Sequence, residues 1–176
     1  MPVEMVVESI RMNLLAPTRV VFLKEVKRER YLPIIIGVSE ADAISIKLQN
    51  ADVPRPLTHD LLASMIQTLG GRVTHIIVND LVDETFFARI VLDVDGRHVE
   101  VDSRPSDAIA LAVRANVPIL VDEAVLERSA IEPDDARGAP SEDRPGEERI
   151  GEEQLAAFRD VINQLNLDDL GGPRKS

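Results

Sequence analysis

Residues 99–115, Val99-Glu-Val-Asp-Ser-Arg-Pro-Ser-Asp-Ala-Ile-Ala-Leu-Ala-Val-Arg-Ala115, change from a strand pattern to a helix pattern within one stretch. Val99 and Val101 alternate with acidic residues, which is the two-residue period of a strand. Pro105 suits the first turn of a helix, because the N–H that proline lacks would have no intrahelical acceptor there. The apolar residues that follow leave almost no polar face. The sequence therefore predicts a helix that is buried nearly all round and has a polar N-terminus.

A polar cluster surrounds the N-terminus of this predicted helix: Asp102, Ser103, Arg104, Ser106 and Asp107. These side chains could simply satisfy the free amides of the first turn, with Arg104 paired to Asp102. Alternatively, Asp102 and Asp107 could hold a hard cation through oxygen ligands while Arg104 and the free amides grip a phosphate. Charge neutralisation and a metal-activated water are what phosphodiester hydrolysis requires. Both interpretations stay open on the residues alone.

A second polar cluster, Thr58-His59-Asp60, begins another predicted helix that ends at Gly70-Gly71. Thr58 and Asp60 could only cap this helix, with Thr58 as the N-cap. Alternatively, His59 acts as a general base or metal ligand, and Asp60 is the carboxylate that orients it. An apolar stripe along the same helix is predicted to face the core: Leu61, Leu62, Met65, Ile66 and Leu69.

The order of elements predicts an α+β domain with a mixed or antiparallel sheet and packed helices. Two strands followed by a helix occur in each half, and Asp42-Ala43-Ile44 in the first half matches Asp107-Ala108-Ile109 in the second. This weak repeat predicts a duplicated ββα unit, with chance similarity as the alternative. Ser39 is the predicted N-cap of the first-half helix, and Glu40 lies in its first turn.

Composition divides the chain into four parts. Residues 1–130 form the α+β domain, and residues 131–151 are predicted to be a flexible acidic linker because they offer almost nothing to bury. Residues 152–170 resume helical spacing and are predicted to form a C-terminal helix that docks on the core or on a partner subunit. Residues 171–176 are predicted to be a disordered tail.

The chain has 176 residues and a formal net charge of −11, from 20 Lys and Arg against 31 Asp and Glu. This balance disfavours the broad basic footprint of a tight, non-specific nucleic-acid binder, but not a small local site or one that uses a divalent cation. Aromatic residues make up only 3%, which argues against a base-stacking platform. The absence of cysteine fits a reducing cytoplasm, and the acidic N-terminus without a long apolar run predicts neither export nor a membrane span.

Four motifs, in this order, resemble the bifunctional nuclease (BFN) domain family. They are Leu32-Pro-Ile-Ile-Ile-Gly37 with Glu40-Ala41, Arg55-Pro-Leu-Thr-His-Asp-Leu61, Thr85-Phe-Phe-Ala88 and Asp102-Ser-Arg-Pro-Ser-Asp-Ala-Ile-Ala110. The resemblance covers nearly the whole chain apart from residues 131–151. It implies an α+β domain that self-associates, with nuclease activity on RNA and DNA attributed to some members. The matched motif positions are Glu40, Arg55, Thr58, His59, Asp60, Asp102, Arg104, Ser106 and Asp107.

The resemblance and the two polar clusters together predict a nuclease that hydrolyses phosphodiester bonds of RNA, DNA or both, assisted by Mg²⁺ or Mn²⁺. The predicted catalytic residues are His59, Asp60, Asp102 and Asp107; the predicted substrate-binding residues are Arg55, Arg104 and Ser106; the predicted metal ligands are Asp102 and Asp107. His59 with Asp60 would position or deprotonate water, and Arg104 would steady the phosphate. The alternatives are a non-enzymatic oligomeric interaction module and a domain that binds a small anionic ligand.

Overall fold

The computed structural model describes residues 1–12 and 18–138. The strands are β1 Pro2–Met12, β2 Arg19–Glu25, β3 Tyr31–Ile36, β4 Gly71–Val82, β5 Thr85–Val94, β6 Arg97–Ser103 and β7 Ile119–Asp122. The helices are α1 Val38–Leu48, α2 Thr58–Thr68, α3 Pro105–Ala115, α4 Glu123–Ser129 and α5 Pro133–Gly138.

The strands form one mixed sheet in the order β3-β2-β1-β7-β4-β5-β6. Its neighbours are antiparallel except β4 and β7, which run parallel. This confirms the predicted α+β class and mixed sheet. The β5–β6 hairpin turns at Asp95-Gly96, where φ is 53° and 76°, as a two-residue turn with two left-handed residues requires.

The two halves of the sheet share one plan. In each half a three-stranded meander, β1-β2-β3 or β4-β5-β6, leads from its outermost strand into a helix, α1 or α3. This agrees with the predicted repeat and adds a strand to each unit. Because α1 packs against α3, the N-termini of the two helices come together above the sheet.

The core lies between one face of the sheet and the helices, with α3 at its centre. Seven α3 residues are buried, namely Pro105, Ser106, Ala108, Ile109, Ala110, Leu111 and Ala112. Helices α1 and α2 both pack on α3, and its small alanines allow that close approach. The prediction of a helix buried nearly all round is confirmed.

Both other predicted N-caps are wrong by one or two residues. Gly37, not Ser39, precedes α1, and Leu57, not Thr58, precedes α2. At α2 the reason is visible, because the carboxylate of Asp60 reaches back to accept the Leu57 amide at 2.8 Å. Asp60 is thus the third residue of α2, where a side chain that accepts the backbone amide of the N-cap residue stabilises the first turn.

Helix α2 does not bury the whole stripe that the sequence predicts. Leu62 and Ile66 pack against the core, whereas Leu61, Met65 and Leu69 are 55%, 52% and 76% exposed. The apolar stripe is broader than the side of α2 that contacts the rest of the described chain. Three large apolar side chains therefore remain on the surface.

The described fold continues past the boundary predicted at residue 130. Ile131 pairs with Tyr31 in an isolated bridge, and α5 follows with Ala136 buried. The start of the predicted linker is therefore packed, because Ile131 is paired with Tyr31 and Ala136 is buried. The rest of the 131–151 linker, the 152–170 helix and the 171–176 tail lie outside the described residues. Within the described part, no helix is long and apolar enough to cross a membrane.

Candidate active site

His59 and Asp107 meet where the first turns of α2 and α3 approach each other. The His59 Nε2 atom lies 2.9 Å from Asp107 Oδ1. His59 is only 8% exposed, so the imidazole is held in one orientation by packing as well as by this bond. Its second nitrogen, Nδ1, has no hydrogen-bond partner among residues 1–12 and 18–138. The pair therefore has the form of an oriented imidazole with one nitrogen available for chemistry.

Arg104 links this pair to α1. Its Nε donates to Asp107 Oδ2 at 2.7 Å, and its Nη2 donates to Glu40 Oε1 at 2.9 Å. The bonds to Asp107 and then Glu40 raise the pKa of the exposed Arg104 guanidinium. The N-termini of α1 and α3 are thus connected by charged hydrogen bonds. These bonds run from Glu40 to Arg104, from Arg104 to Asp107 and from Asp107 to His59.

Asp107 is ionised at neutral pH. Burial by itself would raise the pKa of this carboxyl, but the hydrogen bonds from Arg104 and His59 outweigh burial and lower the pKa. An ionised carboxylate accepts hydrogen bonds and donates none. The proton between the pair therefore belongs to His59 Nε2, and an imidazole that carries this one proton has its lone pair on Nδ1.

Asp60 does not orient His59. One of its oxygens accepts the Leu57 amide, and the other accepts Arg114 Nε at 2.6 Å. Neighbours on a helix point about 100° apart, so a residue adjacent to His59 cannot face it. Burial opposes ionisation, yet the Leu57 amide and Arg114 lower the pKa of Asp60. Asp60 holds α2 in position, and its predicted catalytic role has no geometric support.

Arg114 is a positioning residue that sequence reasoning missed. Its side chain is 5% exposed and binds three elements: Asp60 on α2, the Ala110 carbonyl on α3 and the Ala43 carbonyl on α1. The signal in the sequence is a lone arginine in an otherwise apolar helix. A buried guanidinium needs several acceptors, and here it fixes the three helices that form the site.

Asp102 lies apart from the His59–Asp107 pair. In the β5–β6 register Asp102 faces Arg89 while Ser103 faces Ala88. Paired residues share a face of the sheet and successive residues alternate. Ala88 is buried in the core beneath the helices, so Asp102 projects from the opposite face. Both oxygens of Asp107 are already bonded, and no three His, Asp or Glu side chains in the described residues are grouped to hold a metal ion.

A hollow of about 640 Å³ opens beside the pair, which we call the acidic hollow. Its lining residues are Ser39, Glu40, Asp42, Ala43, Ile46, Pro56, Leu57, Thr58, His59, Arg104 and Asp107. The charged groups in this lining are the carboxylates of Glu40, Asp42 and Asp107 and the guanidinium of Arg104. Arg55 is exposed immediately before Pro56 and has no ion pair within the described chain, so its charge is available to a ligand. Ser106 does not line this hollow and instead lines a groove beyond Arg104.

Comparison with known proteins places this geometry in a family. The model of the bifunctional nuclease domain matches residues 21–134, which is more than half of the chain. The matched region contains the His59–Asp107 pair, Arg104, Glu40 and Arg114.

Relatives of the chain fall into two groups. An uncharacterized protein of Mycobacterium tuberculosis is 37% identical over 151 residues, covering 85% of this chain and 87% of that protein. Bifunctional nuclease 2 of Oryza sativa subsp. japonica is 34% identical over 96 residues, 53% of this chain and 30% of the plant protein. Bifunctional nuclease 1 of Oryza sativa subsp. indica is 28% identical over 127 residues, which are 70% of this chain and 38% of the plant protein. The matches therefore span well under half of each plant protein.

Proposed function

The chain belongs to the bifunctional nuclease domain family, and from that membership we propose that it hydrolyses phosphodiester bonds of nucleic acid, RNA or DNA, at the His59–Asp107 pair. The observation that carries this proposal is the 2.9 Å bond between His59 Nε2 and Asp107 Oδ1. It holds one imidazole in a defined tautomer beside a hollow large enough for a substrate phosphate.

His59 is the general base of the proposed reaction. Its Nδ1 atom takes a proton from the attacking oxygen, which is the 2′-hydroxyl of RNA or a water molecule. Asp107 stabilises the imidazolium that forms, as the carboxylate of a catalytic triad does. His59 then returns the proton to the leaving oxygen, so the enzyme ends the cycle in its starting protonation state.

Arg55 and Arg104 are the proposed phosphate contacts. Arg55 offers a guanidinium with no ion pair among the described residues, whereas Arg104 has its Nε and Nη2 engaged by Asp107 and Glu40. The remaining Arg104 donors can still reach a phosphate, since the side chain is 67% exposed. The carboxylates of the acidic hollow oppose an incoming anion, so these cations determine how the substrate approaches.

Assistance by Mg²⁺ or Mn²⁺ stays a prediction, and the predicted ligand pair does not fit it. Asp102 and Asp107 project from different parts of the fold, and both Asp107 oxygens are bonded to protein donors. No step above runs through a metal. RNA carries its own nucleophile in the 2′-hydroxyl, whereas DNA requires an activated water. Comparing the two substrates with and without metal therefore separates the two routes.

The proposal is tested with end-labelled single-stranded RNA and DNA, each incubated in Mg²⁺, in Mn²⁺ and in chelator. The His59→Ala variant is the test protein. His98→Ala is the matched control, since His98 is exposed on β6 and its side chain bonds, among the described residues, to Glu100 alone. Cleavage by the wild type and the control but not by folded His59→Ala supports the proposal. Equal cleavage by all three proteins, or cleavage by none, contradicts it.

Self-association is the second proposal, and the exposed residues of α2 favour it. Leu61, Met65 and Leu69 follow one another at four-residue spacing and so form a stripe along one side of the helix. Contiguous exposed apolar surface of this kind marks interaction sites in proteins. We place a second copy of the chain on this stripe. We also propose a cytoplasmic location, which the absence of cysteine fits.

A further inference from the structure

An apolar groove of about 820 Å³ lies on the other side of Arg104 from the acidic hollow. Its walls are largely apolar, and the polar residues that line it include Glu84, Thr85, Arg104 and Ser106. The volume is in the range of sites that hold small molecules, which combine apolar walls with a few convergent polar groups. Arg104 lines both spaces and is the residue that they share.

Ser106 is the polar group that distinguishes this groove. The residue is 6% exposed, and its hydroxyl has no hydrogen-bond partner in the described part of the chain. Among the described residues the fully enclosed side-chain oxygen without a partner is Asn79 Oδ1, so the Ser106 oxygen is open to the groove and can bond to a water molecule or a ligand there. Ser106 lines the groove, so this donor is available to whatever occupies the space.

The backbone adds further donors at the same place. Ser106 and Asp107 are the second and third residues of α3, and Arg104 at the N-cap provides no side-chain cap. Amides in a first helical turn have no intrahelical acceptor, and together with the helix dipole they favour an anion. The Ser106 hydroxyl, the Arg104 side chain and the free amides of this first turn thus lie at one end of the apolar groove.

We propose that this groove binds a nucleoside monophosphate, with the phosphate at the N-terminus of α3 and the base against the apolar wall. Charge makes the groove a second place for a phosphate, separate from the proposed substrate site beside the acidic hollow. The groove is lined by one cation and one carboxylate, Arg104 and Glu84, whereas the hollow has three carboxylates against the same Arg104.

The shape and chemistry of the wall favour a base over an aliphatic chain. Phe86 presents a half-buried ring and Pro33 a flat pyrrolidine, and every base has a face that can stack on such groups. Glu84 and Thr85 add acceptors for the exocyclic amino and ring N–H groups of a base.

This inference goes beyond hydrolysis and does not rest on it, because binding of a mononucleotide is measured without turnover. The ligand could be a free nucleotide or the phosphorylated end of a nucleic acid, which carry the same chemistry. Titration with a free monophosphate and with a 5′-phosphorylated tetranucleotide distinguishes these two sources.

The test is a calorimetric titration of the full chain with AMP, CMP, adenosine, inorganic phosphate and octanoate. We expect saturable binding of a monophosphate and at least about tenfold weaker binding of the other three probes. Adenosine lacks the phosphate, inorganic phosphate lacks the base, and octanoate lacks both. Ser106→Val should weaken monophosphate binding by about tenfold or more, as expected when a hydrogen bond to a charged group is lost. Ser103→Ala is the control, since the Ser103 hydroxyl bonds to the Ala88 carbonyl outside the groove.

His59→Ala should retain monophosphate binding whether or not it retains cleavage, so this proposal and the nuclease proposal fail separately. If Ser106→Val does not fold, amide NMR of the wild type decides, because the Ser106 and Asp107 amide resonances should shift on adding the monophosphate. Absence of saturable binding, equal binding of octanoate, or unchanged affinity in folded Ser106→Val overturns the proposal.

Discussion

His59 and Asp107, 48 residues apart in the chain, are joined by a 2.9 Å bond between Nε2 and Oδ1. The bond connects the first turn of α2 to the first turn of α3, and Arg104 extends it to Glu40 on α1. Because the carboxylate is ionised, it fixes the imidazole tautomer and leaves Nδ1 as the proton acceptor. The proposed cleavage of nucleic acid should therefore depend on both members of the pair.

Asp107→Asn should lower kcat/KM for cleavage by about 10²- to 10⁴-fold, the range expected when general-base catalysis is lost. The amide has nearly the same shape as the carboxylate but no charge, and its NH₂ group can force the wrong imidazole tautomer. Steady-state cleavage rates together with far-UV circular dichroism check this. A folded variant with activity within threefold of the wild type would remove Asp107 from the mechanism.

Arg55→Ala should weaken substrate binding about equally for all sequences, because Arg55 is proposed to contact phosphate rather than bases. The slope of log affinity against log salt concentration should fall by about one, the value for one lost phosphate contact. Arg97→Ala is the matched control, an exposed arginine at the start of β6 without an ion pair in the described chain. If both variants have the same salt slope as the wild type, Arg55 is not a phosphate contact.

Asp60→Asn should destabilise the fold by about 2–3 kcal/mol at pH 7, somewhat below the cost of breaking a fully buried ion pair, because Asp60 is partly exposed. The folded-state pKa of Asp60 is lowered, so its stabilising contribution is complete above its unfolded pKa of about 3.9 and is lost as the pH falls through the folded value.

Urea unfolding at several pH values between neutral and about 3 measures this effect. The wild-type free energy of unfolding should fall toward the acid end, and the variant should show a shallower dependence, with Asp107 supplying part of the remaining slope. Asp52→Asn is the control, an exposed carboxylate in the loop before α2. A variant as stable and as pH-dependent as the wild type would show that the Asp60–Arg114 pair does not hold α2.

Met65→Glu should dissociate the assembly that we place on α2 and leave the fold intact. Met65 is 52% exposed at the centre of the stripe, so a charge there costs little in a monomer and much in an interface. Light scattering after size-exclusion chromatography gives the mass of each form, with Gln67→Glu, an exposed position on the side of α2 away from the stripe, as the control. A wild-type monomer, or a variant that stays assembled, contradicts the proposed interface.

The local features of this fold were predictable because short-range chemistry determines them. Pro105 at the start of α3 and the Asp95-Gly96 turn each require a particular backbone conformation, and both occur where the sequence predicts. The pattern of apolar residues likewise identified α3 as the central buried helix. Such signals involve residues close together in the chain.

The pairing within the site was not predictable, because it depends on how separate elements pack. Sequence adjacency suggested Asp60 as the partner of His59, whereas the helical geometry turns Asp60 toward Arg114 and packing brings in Asp107. The exposure of Leu61 likewise follows from which side of α2 meets α3, and an apolar stripe alone does not reveal that. Arg114 gave no signal beyond its position in an apolar helix.

The most direct test of the central claim is a double-mutant cycle on kcat/KM for RNA cleavage, using His59→Ala, Asp107→Ala and the double variant. Residues that act as one catalytic unit are strongly non-additive. We predict that each single variant loses about 10²- to 10⁴-fold in activity, and that the double variant is at most a few-fold below the weaker single variant. Fully multiplicative losses, or a folded double variant that cleaves like the wild type, would contradict the account.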